Sequence, residues 1–146
     1  MMPATTTQNL PKLLQGFATA VPPVSVTGLE MDSRRVQAGD LFMACKGTAQ
    51  HGLMYLEQAA ENGASAVAWE PAPGVEPPKD LPAVAVEQLS AKSGQIAARF
   101  YGEPSRHLFM AAVTGTDGKT STAHLIAQAL EQLDAPCAYL GTLGYG

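Results

Sequence analysis

This chain is poor in cysteine, in excess positive charge and in long apolar runs, and each shortage excludes something. Two cysteines among 146 residues rule out a disulfide-stapled scaffold. Cys45 and Cys137 both lie in apolar, strand-like runs, which predicts buried, reduced thiols rather than a disulfide or a metal pair. A formal net charge of −4 gives no broad attraction to nucleic acid or anionic lipid, so any phosphate binding must be local. No stretch reaches the ~18 apolar residues of a membrane span, and the opening MMPATTTQNLPKLLQG lacks a basic flank leading into an apolar signal core. The expectation is a cytoplasmic protein without membrane insertion. What is present is a hydrophobic fraction of 46%, ordinary for a globular chain and enough for one domain or two small ones.

The most informative motif is residues 113–121, VTGTDGKTS. It follows the apolar run 108–112 and precedes a helix-periodic segment. A glycine-rich turn at that place exposes consecutive backbone N–H groups at a helix N-terminus, where partial positive charge favours phosphate; Lys119 adds a mobile cation and Thr120 a hydroxyl for Mg²⁺. The spacing is the short form G-x-x-G-K-T over residues 115–120, because Val113 stands where the usual first glycine would be. The pattern predicts binding of a nucleoside triphosphate.

Hydrophobic periodicity organises the rest. Residues 10–17 read as a short helix and 24–31 as a strand, ending in the polar turn 32–35. Residues 41–45 read as a buried strand, 46–52 as a glycine-bracketed loop, 55–62 as a helix capped by Gly63, and 64–69 as the next strand. This order predicts an α/β layer with parallel pairing. Five prolines between 71 and 82 exclude regular structure there and make the segment a spacer before a strand over 83–86. Leu89, Ile96 and Phe100 mark one face of a helix that Gly102 to Ser105 ends. From residue 108 the pattern restarts as strand, phosphate loop and helix, with Ile126, Leu130 and Leu133 on its apolar face and a second strand at 137–140. One such unit leaves a parallel sheet uncovered, so the chain reads as a fragment truncated inside a nucleotide-binding domain.

Several short motifs occur in a fixed order over nearly all of residues 25–146. They are Met31-Asp32-Ser33-Arg34, Gly39-Asp40-Leu41-Phe42, Lys46-Gly47, Gly63-Ala64, Arg99-Phe100-Tyr101 with Glu103-Pro104-Ser105, and the phosphate loop itself. Together they resemble the Mur ligases, most closely the branch that adds the third residue to the UDP-MurNAc-dipeptide precursor of peptidoglycan. The resemblance implies a lead segment 1–24, a Rossmann-like UDP-binding α/β domain over 25–101, a linker 102–107, and over 108–146 the incomplete start of a P-loop ATP-binding domain.

By the same resemblance Met31 and Ser33 would contact the uridine, and Thr48, Ala49 and Gln50 would lie near the diphosphate. In that loop the sequence departs from the family's usual His-Gln-Ala followed by Asp-Gly, and His51 precedes Gly52, leaving open whether His51 has a part. Gly115, Thr116, Asp117, Gly118, Lys119, Thr120 and Ser121 would bind ATP. Lys119 would bridge the β- and γ-phosphates and Thr120 would hold Mg²⁺, making these two the catalytic candidates. Asp117 replaces the family's usual Asn, and a structural turn role with the carboxylate turned outward is expected. His124 reads as a solvent-facing helix residue, and no pattern gives His107 a role.

The implied reaction takes the γ-phosphoryl group of ATP onto the D-Glu carboxylate of UDP-MurNAc-L-Ala-D-Glu. The amine of an amino acid, meso-2,6-diaminopimelate or lysine, then attacks the acyl phosphate. Such chemistry needs alignment and charge neutralisation more than a protein nucleophile. A monomer acting with ATP and Mg²⁺ is expected, and the fragment itself is expected to bind UDP substrate without catalysing. The alternative is a noncatalytic nucleotide-sugar binding or regulatory module, which the coding sequence beyond Gly146 would distinguish.

Overall fold

The computed structural model describes residues 6–48, 50–142 and 144–145, in two compact units that divide between His107 and Leu108. The first unit opens with β1 (Gln8–Asn9) and one turn of helix, α1 (Leu10–Leu13). It continues through β2 (Ser25–Val26), β3 (Gly28–Glu30), β4 (Asp40–Ala44), α2 (Leu56–Glu61), β5 (Ala66–Trp69), β6 (Ala83–Ala85) and α3 (Leu89–Phe100). Strands β3, β4, β5 and β6 lie side by side in that order as an all-parallel sheet, while β1 and β2 pair antiparallel apart from it. The α/β class expected from the sequence is the one observed.

Period-two alternation explains why this sheet is buried on both faces. Leu41, Met43, Ala66, Ala68 and Val84 join Leu89, Ile96 and Phe100 of α3 and Leu10, Leu13 and Leu14 in one core. The alternate positions Phe42, Ala44, Val67 and Trp69 join Val36, Ala59 and Ala64 in the other. Each fully buried Leu, Ile or Phe contributes about 1.5–3 kcal/mol by removal from water, so both helical layers are anchored by side chains that the alternation sends to them.

Three local differences from expectation have physical reasons. The helix at 10–17 is only a turn long, but its leucines are core, and Arg99 holds the segment by donating from Nη1 to the carbonyls of Leu13 (2.7 Å) and Gln15 (2.8 Å). The guanidinium also sits 4.6 Å from the centre of the Phe17 ring, a cation–π contact. The strand expected over 24–31 is split at Thr27, because Val26 pairs with Gln8 of β1 whereas Gly28 pairs with Asp40 of β4. The proline-rich spacer is irregular as expected, yet Val75 and Leu81 pack onto the core beneath Trp69.

In the second unit the phosphate loop leads into α4 (Lys119–Glu131), followed by a hairpin of β7 (Leu140–Gly141) and β8 (Gly144–Tyr145). This corrects two expectations. Residues 108–112 form no strand, and Phe109 is 94% exposed; the second expected strand, 137–140, is replaced by a short antiparallel hairpin beginning at Leu140. A buried parallel strand needs a ladder neighbour and covered faces, and no strand among the described residues pairs with 108–112. The apolar side of α4 is likewise open, with Leu125 at 64% and Ile126 at 40% exposure, and Leu133, expected on the same face, lies in the turn after the helix at 75% exposure. Both cysteines are free and half-buried rather than fully buried. Among the described residues no helix is long and apolar enough to cross a membrane.

Candidate functional site

The loops after β3 and β4 emerge at the carboxyl ends of adjacent parallel strands, the rim where open α/β sheets bind ligands. There Met31, Asp32, Ser33, Arg34, Tyr55 and Gln58 line a cleft of about 500 Å³, within the usual range for small-molecule sites. Met31 and Tyr55, each about half exposed at 50% and 47%, present an apolar and an aromatic wall. Ser33 is buried. Its Oγ donates to Gln58 Oε1 at 2.6 Å, and its carbonyl accepts from Asn62 Nδ2 at 2.8 Å, fastening the loop to α2.

The remainder of that loop holds its own shape. Glu30 Oε1 accepts from the N–H groups of Met31 and Asp32, and Asp32 takes both the Nε and Nη2 donors of Arg34, at 2.9 and 2.6 Å. The side-chain hydrogen bonds from Arg34, then its backbone N–H, hold the Asp32 carboxyl down at about 2. The same pairing raises Arg34 above the ordinary guanidinium value. Arg34 therefore borders the cleft with its charge already engaged.

The second loop is closed at its base by a bridge between Lys46 and His51, by Gly47 N–H donating to the Gln50 carbonyl (3.1 Å), and by Gly52 N–H donating to the Cys45 carbonyl (2.9 Å). Gly52 lies so close to the end of β4 that a Cβ there would come within 2.7 Å of Ala44 Cα. His51 Nδ1 accepts from Leu53 N–H at 3.1 Å, so the ring's proton is on Nε2, which donates to the Glu70 carbonyl at 2.8 Å. His51 thereby clamps the loop to the end of β5.

Glu70 continues the same junction. Its Oε2 accepts from Lys46 N–H, Ser90 N–H and Ser90 Oγ, at 3.1, 3.2 and 2.5 Å. Burial alone would push this carboxyl up, but the hydrogen bonds from Ser90 and Lys46 outweigh it and hold it below the usual carboxylate range. Burial raises the neighbouring Cys45 thiol.

The residues expected at a UDP site are thus partly assembled. Met31 and Ser33 share the cleft, whereas Gln50 does not line it but accepts through its Oε1 from the hydroxyl of Tyr55, which does, at 2.6 Å. Thr48 is exposed on the loop and does not line the cleft. Ala49 lies outside the described residues. Tyr55 and Gln58 were not singled out from sequence, although their i, i+3 spacing at the start of the predicted helix puts them on one face.

In the second unit the phosphate-loop candidates Gly115 to Ser121 are brought together on one turn. Gly115 and Gly118 have φ of +152° and +74°, conformations that favour glycine. Gly118 is the N-cap of α4 and supplies no side chain to the cap, so the first N–H groups of the helix, at Lys119, Thr120 and Ser121, are left for another acceptor. Lys119 Nζ donates to the carbonyls of Gly115 (2.6 Å) and Thr116 (3.1 Å), which holds the ammonium at the mouth of the turn with one N–H remaining. Thr120 Oγ1 lies 3.4 Å from Thr142 Oγ1. Asp117 is exposed. His124 is exposed too, with its ring edge-on to Tyr139 at 5.4 Å. No group of three or more His, Cys, Asp or Glu among the described residues could hold a metal ion unaided, so an Mg²⁺ at Thr120 would fit only with phosphate oxygens and water as its other ligands.

Comparison with known proteins places this geometry. Residues 25–101 match the family described as Mur ligase family, catalytic domain, and residues 113–146 match the Mur ligase middle domain. A UDP-N-acetylmuramoyl-L-alanyl-D-glutamate--2,6-diaminopimelate ligase of Xanthomonas oryzae pv. oryzae (strain MAFF 311018) is 50% identical over 123 residues, covering 84% of this chain and 25% of that protein. A solved structure of a ligase with the same name superposes with a TM-score of 0.70 at 26% identity, over 96% of this chain and 28% of that one. The MurF ligase of Thermotoga maritima in complex with ADP superposes with a TM-score of 0.54 at 27% identity, over 71% of this chain and 23% of that one. This chain spans about a quarter of the length of the relatives it matches.

Proposed function

The chain belongs to the Mur ligase family, and from that premise we propose that it carries the UDP-binding domain and phosphate loop of an ATP-dependent ligase. The ligase joins 2,6-diaminopimelate to UDP-MurNAc-L-Ala-D-Glu. The single observation that carries this reading is the cleft at the carboxyl rim of the parallel sheet, where Met31, Ser33 and Tyr55 stand together. An apolar side chain, an aromatic ring and a fixed hydroxyl suit a pyrimidine nucleoside, with Met31 and Tyr55 against the ring faces and Ser33 at its edge. Gln50, bonded to the Tyr55 hydroxyl, would lie on the side where a diphosphate follows.

In the second unit, Lys119, Thr120 and Ser121 would receive the triphosphate on free backbone N–H groups at the start of α4. The Lys119 ammonium would neutralise developing charge as the γ-phosphoryl group passes to the D-Glu carboxylate. The Thr120 hydroxyl would hold Mg²⁺, which supplies charge neutralisation across the phosphates when bound. A nucleotide sugar and ATP as substrates imply the cytoplasm, and neither candidate site calls for a second copy of the chain.

Titration of the chain with UDP-MurNAc-L-Ala-D-Glu, followed by amide chemical shifts, tests the reading. Shifts are expected at Ser33, Gln50 and Tyr55. If all three stayed silent at saturating ligand, the cleft would not be the UDP site.

A further inference from the structure

We propose that Gln58, acting with Ser33, reads the edge of the base and selects uracil over cytosine. This deepens the reading of the cleft as a uridine site and rests on it. Ser33 Oγ stands 2.6 Å from Gln58 Oε1, and a carboxamide oxygen can only accept, so the hydroxyl proton of Ser33 is committed to that bond. Toward the cleft Ser33 then offers lone pairs. The same bond orients the Gln58 amide, whose two Nε2–H donors have no partner among the described residues although the side chain lines the cleft. An acceptor and a donor are therefore fixed beside one another.

Their order matches one pyrimidine. Uracil presents a carbonyl, an N3–H and a second carbonyl along its edge, so N3–H would donate to Ser33 Oγ while the C4 carbonyl, the one that cytosine lacks, accepts from Gln58. Cytosine carries an unprotonated N3 and an amino group in place of one carbonyl, which sets acceptor against acceptor and donor against donor. A site built to hydrogen-bond one edge rejects the other because its own polar groups are left unpaired. Ser33 is kept in place beside Gln58, since its carbonyl is held by Asn62 (2.8 Å) and the residue is only 5% exposed. Tyr55 does not blur the choice, because its hydroxyl proton points to Gln50.

The test compares UDP and CDP binding to the chain by calorimetry for wild type, Gln58→Glu and Gln58→Met. Gln58→Glu keeps an acceptor for the Ser33 hydroxyl but removes both donors, and its charge repels the two diphosphates alike, so the UDP to CDP affinity ratio isolates the base. Wild type is expected to favour UDP by about tenfold or more, and Gln58→Glu to lose at least that preference. Gln58→Met, on an exposed helical position, should lose it as well with an unchanged amide spectrum. A wild-type UDP to CDP ratio in both variants would overturn the assignment to Gln58. A wild-type chain that bound neither nucleotide would instead overturn the uridine-site reading, and the proposal with it.

Discussion

Helices α3 and α4 have similar sequence credentials and different fates. Leu89, Ile96 and Phe100 recur along one face of α3 and all are at or below 1% exposure. Ile126, Leu130 and Leu133 recur just as regularly in the sequence of α4 and the turn that follows it, yet Ile126 is 40% and Leu133 75% exposed. A hydrophobic stripe is a property of the helix, whereas burial is a property of what lies opposite it. In the first unit a four-stranded sheet lies opposite α3; in the second, Ala127 is the residue of α4 that is buried. Chemistry separates the units as well, because the first offers a walled cleft and the second a turn with free N–H groups.

The sharpest way to test that division is to remove one unit's chemistry and ask whether the other notices. In the full-length ligase, Lys119→Ala is expected to lower ligation about a thousandfold or more through loss of a phosphate-neutralising cation. Affinity for UDP-MurNAc-L-Ala-D-Glu should stay nearly unchanged, since the cleft belongs to the other unit. Steady-state kinetics with a separate UDP-substrate titration checks both halves; near wild-type turnover would remove the loop from the mechanism.

Next in size is the pair Ile96→Ala and Ile126→Ala. The first should cost about 2–5 kcal/mol by opening a cavity in a packed core, read by urea denaturation through Trp69, the chain's single tryptophan. The second should change the exchange protection of α4 amides by no more than about 0.5 kcal/mol. Equal costs would mean that α4 is as well packed as α3.

The smallest effect concerns Asp32. Its carboxyl is held at about 2 by Arg34, against an ordinary 3.8. A depressed carboxylate contributes stability that is full above the ordinary value and is lost as pH falls through about 2. The Asp32 side chain is one-third exposed at 33% and screened by solvent, so the effect on the whole fold is slight, and the carboxyl ¹³C shift is the better readout. Arg34→Gln should return its midpoint toward the ordinary value. A midpoint that did not move would show that Arg34 is not the cause.

How much of this could be read from the chain varies with the physical cause. The limits of α3 and the strands around Leu41, Val67 and Val84 were legible because period-two and helical patterns coincide with real burial on both faces. The strand at 108–112 was misread for the complementary reason: apolar composition alone does not create a ladder partner. The core role of Leu10, Leu13 and Leu14 was hidden, since it is met by residues far along the chain, α3 among them, whose Arg99 also bonds the carbonyls of Leu13 and Gln15. At the site, Met31 and Ser33 came from motif resemblance. Gln58 escaped notice because its part is set by a hydrogen bond across 25 residues, from Ser33, and Tyr55 because its i, i+3 spacing to Gln58 gains meaning only once the Ser33 loop lies against that face.

The clamp formed by His51 and Glu70 has a consequence for affinity rather than for shape. Fixing the backbone of a residue costs roughly 1–2 kcal/mol of conformational entropy, and a loose loop would incur that cost each time it closed on a ligand. Here the bonds from Leu53 N–H to His51, from His51 to the Glu70 carbonyl, and from Lys46 and Ser90 to the Glu70 carboxylate tie the loop down within the fold itself. The ordering is completed during folding, so a ligand at the rim would meet a preorganised surface, and more of its intrinsic interaction energy would remain as binding.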